Sequence, residues 1–87
     1  MITIETKKIT ESTAGFCDII DLTAKLKEHI HQAKIRAGTA TLFGPSLAIP
    51  IVNGAPSLGT WQQVILLDFD NRPRTREIIV QLIGEKE

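Results

Sequence analysis

Thr60-Trp61-Gln62-Gln63-Val64-Ile65-Leu66-Leu67-Asp68-Phe69, the turn-forming Asp70-Asn71-Arg72-Pro73 and the apolar run over residues 75–83 decide the fold. In the first segment Trp61, Ile65, Leu67 and Phe69 share one face of a strand and Val64 and Leu66 take the other, because successive strand side chains alternate. In the last, Ile79 and Ile83 alternate with Ile78, Val80 and Leu82. The spacing predicts a strand over 60–69, a hairpin turn through 70–73 and a second strand over 75–83. Both strands are apolar on two faces, more than one helix can cover, so the pattern implies packing between subunits.

Upstream, Leu47-Ala48-Ile49-Pro50-Ile51-Val52 and residues 39–43 are short β-prone runs separated by Gly44-Pro45-Ser46, and Asn53-Gly54-Ala55-Pro56 forms a turn. Before them the apolar period changes. Leu22, Leu26, Ile30 and Ala33 fall on one helical stripe, which either Asp21 or Thr23 can cap. Lys34 and Arg36 suit the negative end of that helix, and Gly38 is a plausible stop. At the start, Ile2 and Ile4 alternate with Thr3 and Glu5 as in a half-buried strand; residues 11–15 read as a turn, and residues 16–20 as a second strand antiparallel to the first. The order strand-strand-helix-strand-strand-strand indicates an α+β fold: a mainly antiparallel, sandwich-like β-sheet with one principal helix.

The 87 residues allow one domain, 1–87, with 43% hydrophobic and 23% charged residues. A chain this short buries only somewhat more than ~60% of its unfolded surface, so association with further copies would help it. Ten basic and ten acidic residues cancel without any long run of one sign, which argues against nucleic acid or an anionic membrane as partner. The lone Cys17 builds neither an internal disulfide nor a thiolate metal cage. No apolar run approaches the ~18 residues of a membrane span, and no basic-then-apolar leader opens the chain, so the expected location is cytoplasmic.

Three segments resemble one family, the YjbQ-like proteins associated with secondary thiamine-phosphate synthase activity. They are Asp18-Ile19-Ile20-Asp21-Leu22-Thr23 with its helix and Gly38; Leu42-Phe43-Gly44-Pro45-Ser46 with Leu47-Ala48-Ile49-Pro50-Ile51; and Leu58-Gly59-Thr60-Trp61-Gln62 with Asp68-Phe69-Asp70-Asn71-Arg72-Pro73-Arg74-Thr75-Arg76. The third is the specific one, similar to the family's "L-G-T-W-Q" and "D-G-P-R-R-R" signatures. The resemblance implies homotrimers and a cleft bordered by residues 59–62. It also implies a histidine-bearing segment between the equivalents of Phe43 and Gly44, which this sequence does not contain. Either a deletion or an omitted segment stands there, and no catalytic residue can be assigned to this chain. His29 and His31 lie outside the family's histidine motifs.

As a site, Gly59 allows close backbone approach, Thr60 and Gln62 carry neutral donors and acceptors, and Trp61 offers a stacking face for a flat heterocycle. The competing reading makes Trp61 a core anchor and Gly59 the relief of a tight turn. Arg74 and Arg76 share a strand face and could grip a phosphate, or could pair with Asp68, Asp70 or Glu77 as a solvated hairpin. Asp68, Asp70 and Asn71 lack the further carboxylate of a calcium loop, and His29 and His31 stand two apart, unlike the i, i+4 pair of a zinc helix. The metal expectation is therefore none, and the cofactor is open. Cys17 has no activator in the sequence and reads as a small buried hydrophobe. Two functions follow: a YjbQ-like protein resembling secondary thiamine-phosphate synthases, which join a pyrimidine pyrophosphate to a thiazole phosphate; or a non-catalytic oligomeric scaffold or small-ligand-binding module without the histidine segment.

Overall fold

A computed structural model describes residues 2–15, 18–43, 47–60, 62–68 and 72–86. Strands β1 (Ile2–Thr13) and β2 (Asp18–Asp21) lead into helix α1 (Thr23–Ala33). Strands β3 (Ile35–Phe43), β4 (Leu47–Val52), β5 (Ala55–Pro56), β6 (Ile65–Asp68) and β7 (Arg74–Lys86) follow. The expected α+β class holds. A five-stranded antiparallel sheet in the order β1-β7-β3-β4-β5 forms one layer, and α1 with the two-stranded β2–β6 sheet lies against it.

The helix forms as its period predicts: Leu22, Leu26, Ile30 and Ala33 are all buried. They meet Val80, Leu82, Ala40, Leu42, Ile49 and Ile51 from the inner face of the large sheet in one hydrophobic cluster. Burying a side chain such as Leu26 or Ile30 contributes about 1.5–3 kcal/mol. At the helix start the Asp21 carboxylate accepts the Thr23 backbone N–H at 2.9 Å. Gly38 is not the stop. Lys34 ends the helix in a left-handed conformation, φ 57°, with its N–H donating to the His31 carbonyl at 3.1 Å. Gly38 lies within β3 opposite Gly84 of β7, and the reason for glycine there is space. A Cβ on Gly38 would stand 2.0 Å from the Ile83 carbonyl oxygen, and one on Gly84 would stand 2.1 Å from that of Ala37.

Strand partners depart from the expected hairpins. β1 pairs with β7 over twelve positions, from Ile2↔Glu85 to Thr13↔Arg74, and not with β2. β2 pairs instead with β6, from Asp18↔Asp68 to Asp21↔Ile65. β6 and β7 therefore belong to different sheets and are not hairpin partners; part of the turn expected over 70–73 lies outside the described residues. Long β7, apolar on both sides, takes the central place between β1 and β3, where it gains far more ladder than four-residue β6 could offer. β1 also runs on through residues 11–13, expected as a turn, because β7 keeps it paired to Thr13.

Of the described residues in the expected strand over 60–69, Ile65–Asp68 form a strand and Thr60 and residues 62–64 do not. The core side of this segment is Val64 and Leu66, while Ile65 is 45% exposed. Trp61 and Phe69, expected beside Ile65, lie outside the described residues, as do Phe16, Cys17, Gly44-Pro45-Ser46, Asp70 and Asn71. Ile2 and Ile4, expected on the buried side of β1, are 67% and 62% exposed. The inward side of that strand carries half-buried Thr3, Glu5 and Lys7 before buried Ile9. The register Ile4↔Ile83 and Phe43↔Ile79 then places an apolar band on the outer face of the sheet.

Candidate functional site

Asn53 and Gly54 both take positive φ, 53° and 76°, the geometry of a two-residue hairpin turn that suits Asn-Gly. The turn returns the chain along β4 as β5, with Val52 opposite Ala55. Ser57 continues that contact, its N–H donating to the Pro50 carbonyl at 2.8 Å. Residues beyond Ser57 are thereby held over β4, and a groove of about 310 Å³ opens between the two. Leu47, Ala48, Ile49 and Pro50 form one side; Ser57, Leu58, Gln62, Gln63 and Val64 form the other.

The second wall is fixed at two points. Gln62 closes a turn on Gly59: its backbone N–H donates to the Gly59 carbonyl at 3.0 Å, and its side-chain Oε1 accepts the Gly59 N–H at 2.6 Å. Val64, buried at the groove floor, donates its N–H to Thr23 Oγ1 at 2.8 Å and accepts the Leu22 N–H at 2.7 Å. The start of α1 and the groove wall are thus one hydrogen-bonded unit. This tether explains why residues 62–64 leave the β-ladder: Thr23 supplies the acceptor that a neighbouring strand would otherwise provide.

Of the residues singled out from sequence, Gln62 lines the groove. Gly59 and Thr60 lie in the exposed turn beside it, and the close neighbour of Gly59 is the Gln62 side chain, 3.1 Å from where a Cβ would stand. Trp61 lies outside the described residues. Arg74 and Arg76 are elsewhere, on β7 in register with Thr13 and Glu11; Arg76 is half-buried, and the Arg74 side chain is not among those described. Among the described residues no lining residue of the groove is charged, so they offer apolar surface with hydroxyl and amide groups and no anion clamp. The β4 wall, Ser57, Leu58 and Gln63 were not singled out from sequence. The Asn-Gly turn was the signal for the first of them, since a two-residue turn directs the residues after Pro56 back alongside residues 47–50.

Away from the groove, His31 is exposed and His29 is half-buried, with a buried Nδ1 that lacks a hydrogen-bond partner among the described residues. No group of three or more His, Cys, Asp or Glu side chains among the described residues is arranged to hold a metal ion. Asp21 has its pKa lowered, chiefly by hydrogen bonds from Thr23, through its side chain and then its backbone N–H, with a smaller contribution from the charge of Lys27. Among the described residues no helix is long and apolar enough to cross a membrane.

A mainly antiparallel α+β scaffold with a groove whose described lining residues are uncharged, beside Gly59 and Thr60, is the class of protein that these features define. The family model described as UPF0047 protein YjbQ-like matches residues 39–85, from β3 to β7, and the chain belongs to that family. A UPF0047 protein from Archaeoglobus fulgidus is 48% identical over 44 residues, covering 51% of this chain and 34% of that protein. One from Methanocaldococcus jannaschii is 47% identical over 47 residues, covering 54% of this chain and 33% of its own length. The matched stretch thus spans about a third of these relatives. Among solved structures, a YbjQ-like protein of unknown function from Sulfolobus solfataricus P2 superposes with a TM-score of 0.90 at 16% identity, covering 98% of this chain and 100% of that one. A structural genomics target from C. acetobutylicum gives 0.84 at 21% identity, with 91% and 99% covered. Those two likenesses are of fold.

Proposed function

We propose that this chain is a small-ligand-binding module of the YjbQ-like family, and that its groove takes the uncharged, flat part of a heterocyclic ligand. The observation that supports this is the lining: apolar Leu47, Ile49, Pro50 and Leu58 beside the amides of Gln62 and Gln63, without a charged group among them. Gly59, Thr60 and Trp61 would complete the rim, and Arg74 and Arg76 would meet a phosphate only if a ligand reached beyond the groove. Titrating a hydroxymethylpyrimidine and a thiazole phosphate separately into labelled protein tests the reading. The pyrimidine should shift the amide signals of Leu58, Gln62 and Val64; unchanged signals at millimolar ligand would refute it.

A second reading rests on the Leu58-Gly59-Thr60-Trp61-Gln62 resemblance: a secondary thiamine-phosphate synthase activity, in which the thiazole nitrogen displaces pyrophosphate from the pyrimidine methylene. A C–N bond forms as the C–O bond to pyrophosphate breaks. The described residues supply no catalytic base in the groove, so this chain should form no thiamine phosphate from the two halves while an authentic synthase does so in parallel. Turnover by the chain would favour the synthase reading over the binding module.

We propose further that the chain acts as a homo-oligomer, a trimer by the family resemblance, in the cytoplasm. The support is the outer face of the large sheet, where Ile2, Ile4, Ile83, Ile79, Phe43 and Val52 are exposed. Light scattering at micromolar concentration should give a multiple of the chain mass, and a monomer would count against it.

A further inference from the structure

β1 is an edge strand: β7 pairs with one side of it, and among the described residues no strand pairs with the other. That edge runs the length of a twelve-residue strand, and long edges recruit further strands unless they are shortened, bulged or covered. What this edge can recruit is written in its charges. Two copies of β1 that meet antiparallel about a two-fold axis, with the outer faces of both sheets on one side, must place residue i opposite a residue of the same parity. Registers centred on Glu5, Lys7 or Lys8 set a charge against itself, which is unfavourable. A register centred on Ile9 would set Lys7 against Glu11, but Glu11 is already engaged by Lys25 of α1. A register centred on Thr6 sets Glu5 against Lys7 twice, Ile4 against Lys8 and Ile2 against Thr10, with no like-charge pair.

Within one chain that pair is incompletely satisfied. Lys7 Nζ lies 3.7 Å from Oε1 of Glu5, two residues away on the same half-buried side of the strand. The other carboxylate oxygen, Glu5 Oε2, is buried without a hydrogen-bond partner among the described residues. We propose that β1 is a self-complementary docking edge that pairs with β1 of a second copy about a two-fold axis at Thr6, where Lys7 of each chain reaches Glu5 of the other. This contact is distinct from the outer apolar face, on which Ile4 and Ile2 of each copy would lie beside Lys8 and Thr10 of the other.

Two sets of variants test this by sedimentation, with circular dichroism confirming that each one folds. Lys7→Glu alone and Glu5→Lys alone should each weaken association about tenfold or more, because each sets like charges opposite each other. The double exchange, Glu5→Lys with Lys7→Glu, should restore it. Glu5 and Lys7 face inward, so an assembly built only through the outer face would be indifferent to both single changes, and that result overturns the proposal. In a Cys17→Ser background, Thr6→Cys should cross-link into covalent dimers on mild oxidation, since the axis sets that position against itself. Thr10→Cys, placed opposite Ile2, should remain uncross-linked. Failure of Thr6→Cys to cross-link, or equal cross-linking of Thr10→Cys, likewise overturns it.

Discussion

The crossing of β3 with β7 and the wall of the groove are held by opposite means. At the crossing, Gly38 faces Gly84 with backbone oxygens about 2 Å from where either Cβ would stand, and Leu82, Val80 and Ala40 fill the inner face completely. In the wall, residues 57–60 and 62–64 hang from a few polar tethers: Ser57 on Pro50, Gln62 on Gly59, and Val64 on Thr23 and Leu22. Close packing tolerates almost no change in shape, whereas a hydrogen-bonded strap can be altered locally while the scaffold persists. A protein built this way separates its stability from its capacity to bind, and substitutions should divide accordingly.

The largest effect belongs to the crossing. Gly84→Ala places a methyl 2.1 Å from the Ala37 oxygen, with backbone on every near side, so the strands must part to admit it. Urea denaturation should show a loss of about 3 kcal/mol or more, the upper end of what overpacking costs, or no cooperative transition. A change below about 1 kcal/mol would mean that the crossing can yield, and the contrast with the strap would disappear. Next comes Thr23→Val, which keeps the shape of the side chain but removes the acceptor for the buried Val64 N–H. An orphaned buried donor costs about 1–3 kcal/mol. Because that donor anchors the groove floor, ligand binding should fall along with stability in this variant.

The same contrast divides what the sequence made legible from what it did not. The stripe of Leu22, Leu26, Ile30 and Ala33, the limits of β4 at Leu47 and Val52, and the alternation of Ile78, Val80 and Leu82 with Ile79 and Ile83 are periodic, and period reports which face is buried. The partners of β2 and β6 were not legible, because a register such as Ile20↔Leu66 joins residues far apart in sequence and leaves no local mark on either. The late start of β6, at Ile65, was hidden for a related reason: the hydroxyl that captures Val64 belongs to Thr23, on the far side of β3, β4 and β5 in the chain. Gly38 was misread because glycine serves both as a helix stop and as room for a neighbouring backbone, and only the position of Gly84 distinguishes the two uses. Half of the candidate site was visible as the Gly59-to-Gln62 motif. Its other half, residues 47–50, reads from sequence as ordinary strand.

Gln62→Ala sharpens the comparison from the side of the strap. It removes the acceptor for the Gly59 N–H, but both groups are exposed and water can replace the bond, so stability should fall by less than about 1 kcal/mol. Binding should suffer more than stability, because the turn that presents the wall loses its closure and the groove loses an amide. Equal losses in both would show that the strap is part of the folded core, contrary to the division argued above.

The smallest effect is expected where helix and strap meet, at Asp21. Its carboxylate accepts the Thr23 N–H, and hydrogen bonding from Thr23 holds its pKa below the ordinary value of 3.8. A carboxylate with a lowered folded-state pKa contributes stability that is present above its unfolded value and is lost as pH falls through the folded one. The contribution should therefore be full at pH 5 and above and should fade only in strongly acid solution. Asp21→Asn removes the titrating group, so the gap in stability between the two proteins should narrow as pH is lowered below about 4. Because the Asp21 side chain is exposed, this gap should be small and should shrink with added salt where Lys27 contributes to it. The informative readout is local: if protonating Asp21 loosens Thr23, amide exchange should accelerate first at Thr23 and Val64, ahead of Leu82 at the crossing. Simultaneous acceleration at all three would show that strap and scaffold open as one unit.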